Sequence, residues 1–308
     1  MPKLDSLLEN PRAAGVACAI AATGLGMAYM AAAGAPSLYL AVNVLALLMG
    51  LAFMGLLRPA AGEARMMPPV VVLAFSGVLL ATALFGPSVE GASRWFRVGG
   101  LSLQMSLILL PSMLVAFARR RDVLSTVGMI VAAVALAAQP DRAMSAVLAA
   151  SLAVLAVRRA DKEVLAALGA AVAGFAVTVV RPDTLPAVPY VDRILYTSFG
   201  VHPLAGVAVV GGALLLAVPA LAGRKLDARG GDACAVFAVA WLGMVLAAAL
   251  GNYPTPLVGY GGSSVLGYVL SLAFLPGKVP SAATVDAMER DEEPAGGGTG
   301  FDFQVAIA

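Results

Sequence analysis

Asn252-Tyr253-Pro254-Thr255-Pro256-Leu257-Val258-Gly259-Tyr260-Gly261-Gly262-Ser263-Ser264-Val265-Leu266-Gly267-Tyr268 interrupts a chain that is otherwise almost uniformly apolar. Pro254 and Pro256 fix the backbone and set its path into the stretch. Gly259, Gly261 and Gly262 admit a tight turn that other residues resist. Tyr260, Ser263 and Ser264 bring hydrogen-bonding groups to the same few positions, and Ser263 is placed to cap the helix that follows. Working outward, the flanks are hydrocarbon. The 308 residues are 60% hydrophobic and 12% charged, with a mean hydropathy of +0.90. A soluble globular domain has an apolar share nearer one half. The expected fold class is therefore an all-α polytopic membrane protein, and a net charge of +2 gives no reason to expect a nucleic-acid partner.

A helix needs roughly 17 to 25 residues to cross about 30 Å of hydrocarbon. Charged and Pro/Gly-rich breaks divide the chain into about ten expected transmembrane helices: Ala13 to Ala33, Ser37 to Leu57, Pro69 to Phe85, Leu103 to Ala118, Val123 to Ala138, Ala143 to Val157, Val164 to Val180, Leu204 to Ala222, Ala233 to Leu250 and Ser263 to Pro276. The fifth and sixth are short enough to form a re-entrant hairpin shielded by protein instead. Either way the sidedness of the other loops is unchanged. Alternate segments carry fifteen and five of the twenty Lys and Arg residues, which puts both termini in the cytoplasm by the positive-inside rule. The five outer cations are Arg94, Arg97, Arg142, Arg181 and Arg193. Residues 1–12 then form a cytoplasmic N-terminal segment and 13–276 the bundle. Residues 277–308, rich in Asp, Glu and Gly, form a disordered cytoplasmic tail.

The spans are dense in Ala and Gly, which favours close helix packing, and none carries a charge at its centre, so an ion relay has no candidate. Cys18 and Cys234 lie far apart in apolar runs and read as small core residues. His202 precedes Pro203 and reads as an interfacial or helix-start residue; Asp141 beside Arg142 reads as a loop ion pair. In Gly91-Ala92-Ser93-Arg94-Trp95-Phe96-Arg97-Val98-Gly99-Gly100-Leu101-Ser102-Leu103-Gln104, two cations flank an aromatic ring. Such a pattern anchors a chain among membrane lipid headgroups. It equally lines an electropositive cleft, because guanidinium groups grip phosphate oxygens in pairs. Val258-Gly259-Tyr260-Gly261 repeats most of a potassium filter, but a filter needs four subunits and a pore helix before it. Gly259 to Ser264 lacks the Lys of a nucleotide-binding loop.

Gly91 to Gln104 resembles the Gly-x-x-Arg-Trp-Ile…Gln-Pro-Ser-Glu signature of the SEDS family (shape, elongation, division and sporulation). Gln139-Pro140-Asp141 resembles that family's Gln-Pro-Asp motif. Pro254 to Ser264 is similar to its Pro-Leu-Pro-Phe-Ile-Ser-Tyr-Gly-Gly-Ser-Ser motif. The resemblance implies a peptidoglycan glycosyltransferase of the bacterial inner membrane that polymerises lipid II in cell elongation or division. It also implies a class B penicillin-binding protein as partner and an essential outer aspartate acting as base or as ligand to a divalent cation. On that basis Asp192 is the catalytic candidate. Arg94, Trp95, Arg97, Arg193, Gln104, Tyr260, Ser263 and Ser264 are substrate-binding candidates. Gln139, Pro140, Asp141, Pro256, Gly259, Gly261 and Gly262 are structural ones.

The chain departs from the family where chemistry is expected. Gln104-Met105-Ser106-Leu107 lacks the acidic residue of Gln-Pro-Ser-Glu, and the family's large outer loop is reduced to Pro182 to His202. In one register Val191-Asp192-Arg193 carries the family's aspartate, with Gly200 and Val201 in place of its paired Glu. In another, Tyr190 to Ile194 matches an earlier Tyr-x-x-Arg segment and no catalytic aspartate is left. The alternative to a polymerase is thus a catalytically degenerate scaffold or lipid II-binding partner. A flippase would need a polar path across the bundle that the sequence does not display.

Overall fold

The computed structural model describes residues 10–63, 67–181, 185–222, 226 and 228–277. Most of the N-terminal segment and the tail from residue 278 onward lie outside the described residues. Helix α1 (Pro11–Ala32) begins with Pro11 and with Asn10 accepting from the Ala13 amide, a conventional N-terminus. It is followed by α2 (Ser37–Glu63), α3 (Met67–Phe85), a hairpin of β1 (Trp95–Val98) and β2 (Leu101–Gln104), and α4 (Met105–Arg119). Next come α5 (Val123–Ala138), α6 (Arg142–Arg158) and α7 (Lys162–Val180), each started by an aspartate: Asp122, Asp141 and Asp161. The last elements are α8 (Ile194–Val201), α9 (Pro203–Leu215), α10 (Val218–Ala222), α11 (Ala228–Leu250) and α12 (Gly262–Phe274). His202 does start a helix, its Nδ1 accepting from the Leu204 amide at the head of α9.

The protein is an all-α multi-pass fold with one small hairpin among the described residues, but the expectation of about ten transmembrane helices does not hold. Five stretches are long and apolar enough to cross a membrane: Pro11–Ala32, Ser37–Leu56, Lys162–Val180, Pro203–Leu221 and Ala228–Leu250. Apolar runs record burial of any kind, and several of the expected spans are short helices enclosed by protein. In α4 every residue from Ser106 to Ala118 is buried, and α12 is buried almost all round. Their 15 and 13 residues make rods of only about 22 and 20 Å.

These two helices form the centre. α12 packs on α1, α2 and α4, and α4 also touches α3 and α11. α3 and α7 cover α5, and α6 joins α7 to α11. The central crossing is close because of two residues. Pro111 lacks an amide, so the carbonyl of Leu107 one turn earlier has no helical donor. Gly267 of α12 brings its Cα against that same carbonyl: a Cβ there would sit 2.1 Å from the oxygen. The missing amide and the missing side chain thus meet at one point, where nothing bulkier than glycine fits.

Residues 251–261 are the irregular backbone of the bundle, not the α5–α6 turn. Thr255 to Gly259 are all buried. Non-helical chain at this depth is tolerated only inside protein or along a cavity.

Candidate functional site

The first wall is the hairpin. Gly99 and Gly100 have φ of 53° and 84°, the left-handed pair that two-residue hairpins require. Trp95 then faces Gln104, and Arg97 faces Ser102. At the foot of β1, Arg94 is buried and donates to the carbonyls of Gln139, at 3.5 Å, and Pro140. At the end of β2, Gln104 donates its side-chain amide to Asp141 Oδ2 at 3.2 Å and its backbone N–H to Ser263 Oγ at 3.0 Å. Ser106 Oγ donates to the same carboxylate at 2.9 Å, and Asp141 Oδ1 accepts from the Met144 amide at the start of α6. Gln139 Nε2 reaches the Leu79 carbonyl in α3 at 2.8 Å. One hydrogen-bonded chain therefore joins three stretches far apart in sequence, Arg94 to Gln104, Gln139 to Asp141 and the start of α12. Asp141 is not ion-paired with Arg142, as the sequence suggested. It is fully buried, and Arg142 instead donates to carbonyls of Thr178, Val179 and Arg181.

The second wall is two loops sewn together. The Thr255 amide donates to Val191 O at 3.0 Å and the Tyr260 amide to Tyr190 O at 2.7 Å; Asn252 donates to Leu185 O and accepts from Arg193 Nε. Gly259 is needed for closeness: a Cβ there would lie 2.8 Å from the Tyr190 carbonyl. The turn itself does not use the glycines as expected. Within Asn252 to Gly261 the left-handed residue is Leu257 (φ 63°), and Gly261 is extended at φ 176°. Nor does Ser263 cap α12. Its hydroxyl serves Gln104, and Ser264 Oγ bonds Gly261 O and the Leu257 amide.

Asp192 lies on this seam, 8% exposed, with Oδ2 accepting from the Val188 amide at 2.7 Å. Burial pushes its carboxyl above the usual range, opposed in part by the Val188 N–H and by the Arg193 charge. Tyr190 (φ 63°) and Arg193 (φ 59°) hold left-handed backbone on either side of it. Such strain persists only where surrounding contacts dictate it.

Between the two walls lies a cavity of about 500 Å³. Asp192, Arg94, Trp95, Arg97 and Tyr260 all line it, as do Gln104, Gly261, Gly262 and Ser263. Glu90 adds a second carboxylate. Val42, Leu101, Leu103, Leu107 and Val188 supply apolar lining. Ser264, Pro256, Gly259, Gln139, Pro140 and Asp141 are not part of this lining; they support it from behind. Arg193 is exposed, is engaged by Asn252 and does not line the cavity.

No family model and no curated protein matches the chain. Solved structures do. The rod shape determining protein RodA of Thermus thermophilus superimposes with a TM-score of 0.58 at 22% identity, covering 85% of this chain and 94% of that one. An aspartate-to-alanine variant of the same protein gives a TM-score of 0.57 over the same shares. The chain has the RodA fold.

This RodA-like bundle includes site residues that motif reading missed. Asn43, fully buried in α2, clamps the glycine-rich loop by donating to Gly259 O at 2.8 Å and accepting from the Gly261 amide at 3.2 Å. Tyr39, one turn earlier, stacks on Tyr260 with centroids 3.8 Å apart and meets the Tyr190 ring edge-on. The available signal was a lone amide in an otherwise hydrocarbon span, where a polar side chain is expensive. For a divalent cation shared with substrate phosphates, the cavity offers two carboxylates, Asp192 and Glu90. Among the described residues no three His, Cys, Asp or Glu side chains gather, and one oxygen of Asp192 is already bonded to Val188.

Proposed function

We propose that the chain is a SEDS-like glycosyltransferase of the bacterial inner membrane, polymerising lipid II on the outer face beside a class B penicillin-binding protein. Residues 13–276 form the catalytic bundle, and 1–12 and 277–308 face the cytoplasm. One observation carries this: a buried aspartate, two arginines and a stacked tyrosine share a cavity with an apolar side. In the reaction, an acceptor hydroxyl oxygen attacks the anomeric carbon of the donor sugar, the bond from that carbon to the lipid pyrophosphate breaks, and the hydroxyl proton passes to Asp192. A carboxylate raised above its ordinary range is a stronger base for that step. The pyrophosphate leaves with its electron pair, and Arg97 meets the charge, because Arg94 is committed to the Gln139 and Pro140 carbonyls.

The test is glycan synthesis by the purified full chain from fluorescent lipid II, with and without its penicillin-binding partner. Wild type should make polymer and Asp192→Asn should not. Unimpaired polymer from Asp192→Asn overturns the mechanism. The reduced α7–α8 segment, and Gly200 and Val201 exposed on α8 in place of the family's paired Glu in the register that keeps Asp192, support a second reading as a non-catalytic lipid II-binding scaffold. Binding of lipid II and of the partner with no polymer from wild type would favour it.

A further inference from the structure

At the end of the bundle opposite the cavity, the turns α4–α5 and α6–α7 and the start of α11 enclose a pocket of about 600 Å³ lined by Arg121, Arg159, Asp161, Ala228 and Arg229. Beneath it Asp232, 1% exposed, accepts from Arg158 Nε at 2.8 Å and Arg159 Nε at 3.1 Å. Arg121 Nε bonds Asp161 at 2.9 Å. Arg158 and Arg159 are 43% exposed and meet Asp232 through Nε, which leaves their Nη nitrogens outside that contact. Arg229 is exposed and makes no ion pair among the described residues. Four guanidinium groups thus face two carboxylates, and the surplus is positive.

We infer that this arginine pocket is the docking site of the chain's own acidic segment Asp291-Glu292-Glu293. Charge selects it: residues 278–308 hold six Asp and Glu against one Lys and one Arg. Position selects it as well. Arg119 Nη1 holds the Phe274 carbonyl at 3.1 Å and Arg12 Nε the Leu275 carbonyl at 2.6 Å, so the chain leaves α12 beside the run Arg119-Arg120-Arg121 that leads into the pocket. The fourteen residue steps from Gly277 to Asp291 reach about 45 Å when extended, ample for the return. Guanidinium groups take carboxylates as forked pairs, which suits three consecutive acids.

Spin labels at Lys162→Cys, beside Asp161 on the rim, and Ala295→Cys, with Cys18 and Cys234 replaced by alanine, read the distance in the full chain. Double electron–electron resonance in uncharged detergent should give a short-distance population at low salt. That population should vanish at ~1 M salt, where the screening length is about 3 Å. It should also vanish in the Asp291→Asn/Glu292→Gln/Glu293→Gln variant, which alters no described residue, and fall in Arg229→Ala. A short-distance population missing from wild type, or surviving neutralisation of the tail, overturns the inference. So does its loss on transfer to phosphatidylglycerol nanodiscs at equal ionic strength, which would make the pocket a lipid-headgroup site.

Discussion

Gly267→Ala tests whether the central helix crossing sets the shape of the cavity. The new Cβ would lie 2.1 Å from Leu107 O and 2.9 Å from Ile108 Cα. Both are backbone atoms of a helix buried along its whole length, so neither can rotate aside. Ordinary contact begins at 3.4 Å, so α12 must move by about 1.3 Å relative to α4. Overpacking of this kind costs about 1–3 kcal/mol, and contact with backbone puts it at the upper end. The helix propensity gained in replacing Gly by Ala returns only about 1 kcal/mol. The displacement also reaches the site. Ser263 lies one turn earlier on α12, its hydroxyl 3.0 Å from the Gln104 amide, and a shift of about an ångström carries that pair past hydrogen-bonding distance. Thermal unfolding of the full chain in detergent can be followed with a thiol-reactive dye, because Cys18 and Cys234 are both buried until the bundle opens. Gly267→Ala should unfold several degrees below wild type and lose most lipid II polymerisation. Gly169→Ala is the control: nothing lies within 4 Å of its Cβ, and it should unfold no lower than wild type. If Gly267→Ala unfolds at or above the wild-type temperature, close packing at this crossing does not hold the bundle together.

Asp192→Asn should abolish polymerisation yet raise the unfolding temperature near neutral pH. The folded state raises the carboxyl, so its ionised form opposes folding above that raised value, whereas Asn keeps an acceptor for the Val188 amide without the charge. The gain should shrink as pH falls through the raised value, and a gain that grows on acidification would reverse the assigned sign. In wild type the activity should fall with an acidic limb above the ordinary aspartate range of ~3.9, read from rate against pH in stable detergent. Asp232→Ala removes the acid that holds Arg158 and Arg159 and should destabilise the protein by about 1–3 kcal/mol, less than a fully enclosed pair because both arginines are partly solvated. Asn43→Leu strands the Gly259 carbonyl and the Gly261 amide inside the bundle. It should cost about 2–4 kcal/mol of stability in the same dye assay, with activity lost in proportion.

What could be read directly from the chain was the part encoded locally. The helix start at His202 and the irregular stretch before α12 each depend on a few neighbouring residues with strong backbone preferences, whereas the β1–β2 hairpin was not expected. What could not be read was the difference between lipid and protein as an apolar surrounding. Ser106 to Ala118 and Val265 to Ala273 are as hydrophobic as a true span, yet they are enclosed by other helices, so hydropathy overcounted the crossings. Partners of buried polar groups were hidden for a related reason. Asp141 bonds residues 35 and 37 positions away, and Asn43 bonds residues 216 and 218 positions away, distances at which spacing carries no signal.

Those distant bonds explain why Asp192 can be buried at all. Its loop is short, and Arg193 faces outward, so little local structure holds a carboxylate at the cavity edge. The restraint comes from the other loop: Thr255 and Tyr260 pin Val191 and Tyr190, Asn43 pins Gly259 and Gly261, and Tyr39 stacks on Tyr260. Tyr190, Arg193 and Leu257 stay left-handed because those contacts leave no alternative. The polar stretch before α12 is therefore the clamp that fixes the aspartate. Loosening it, as in Asn43→Leu, should return the carboxylate to water, lower its pKa toward the ordinary range and weaken it as a base. The acidic limb of the rate profile should then move to lower pH in whatever activity remains. An unchanged limb in Asn43→Leu would mean that the Asp192 environment is set within residues 185–193 alone.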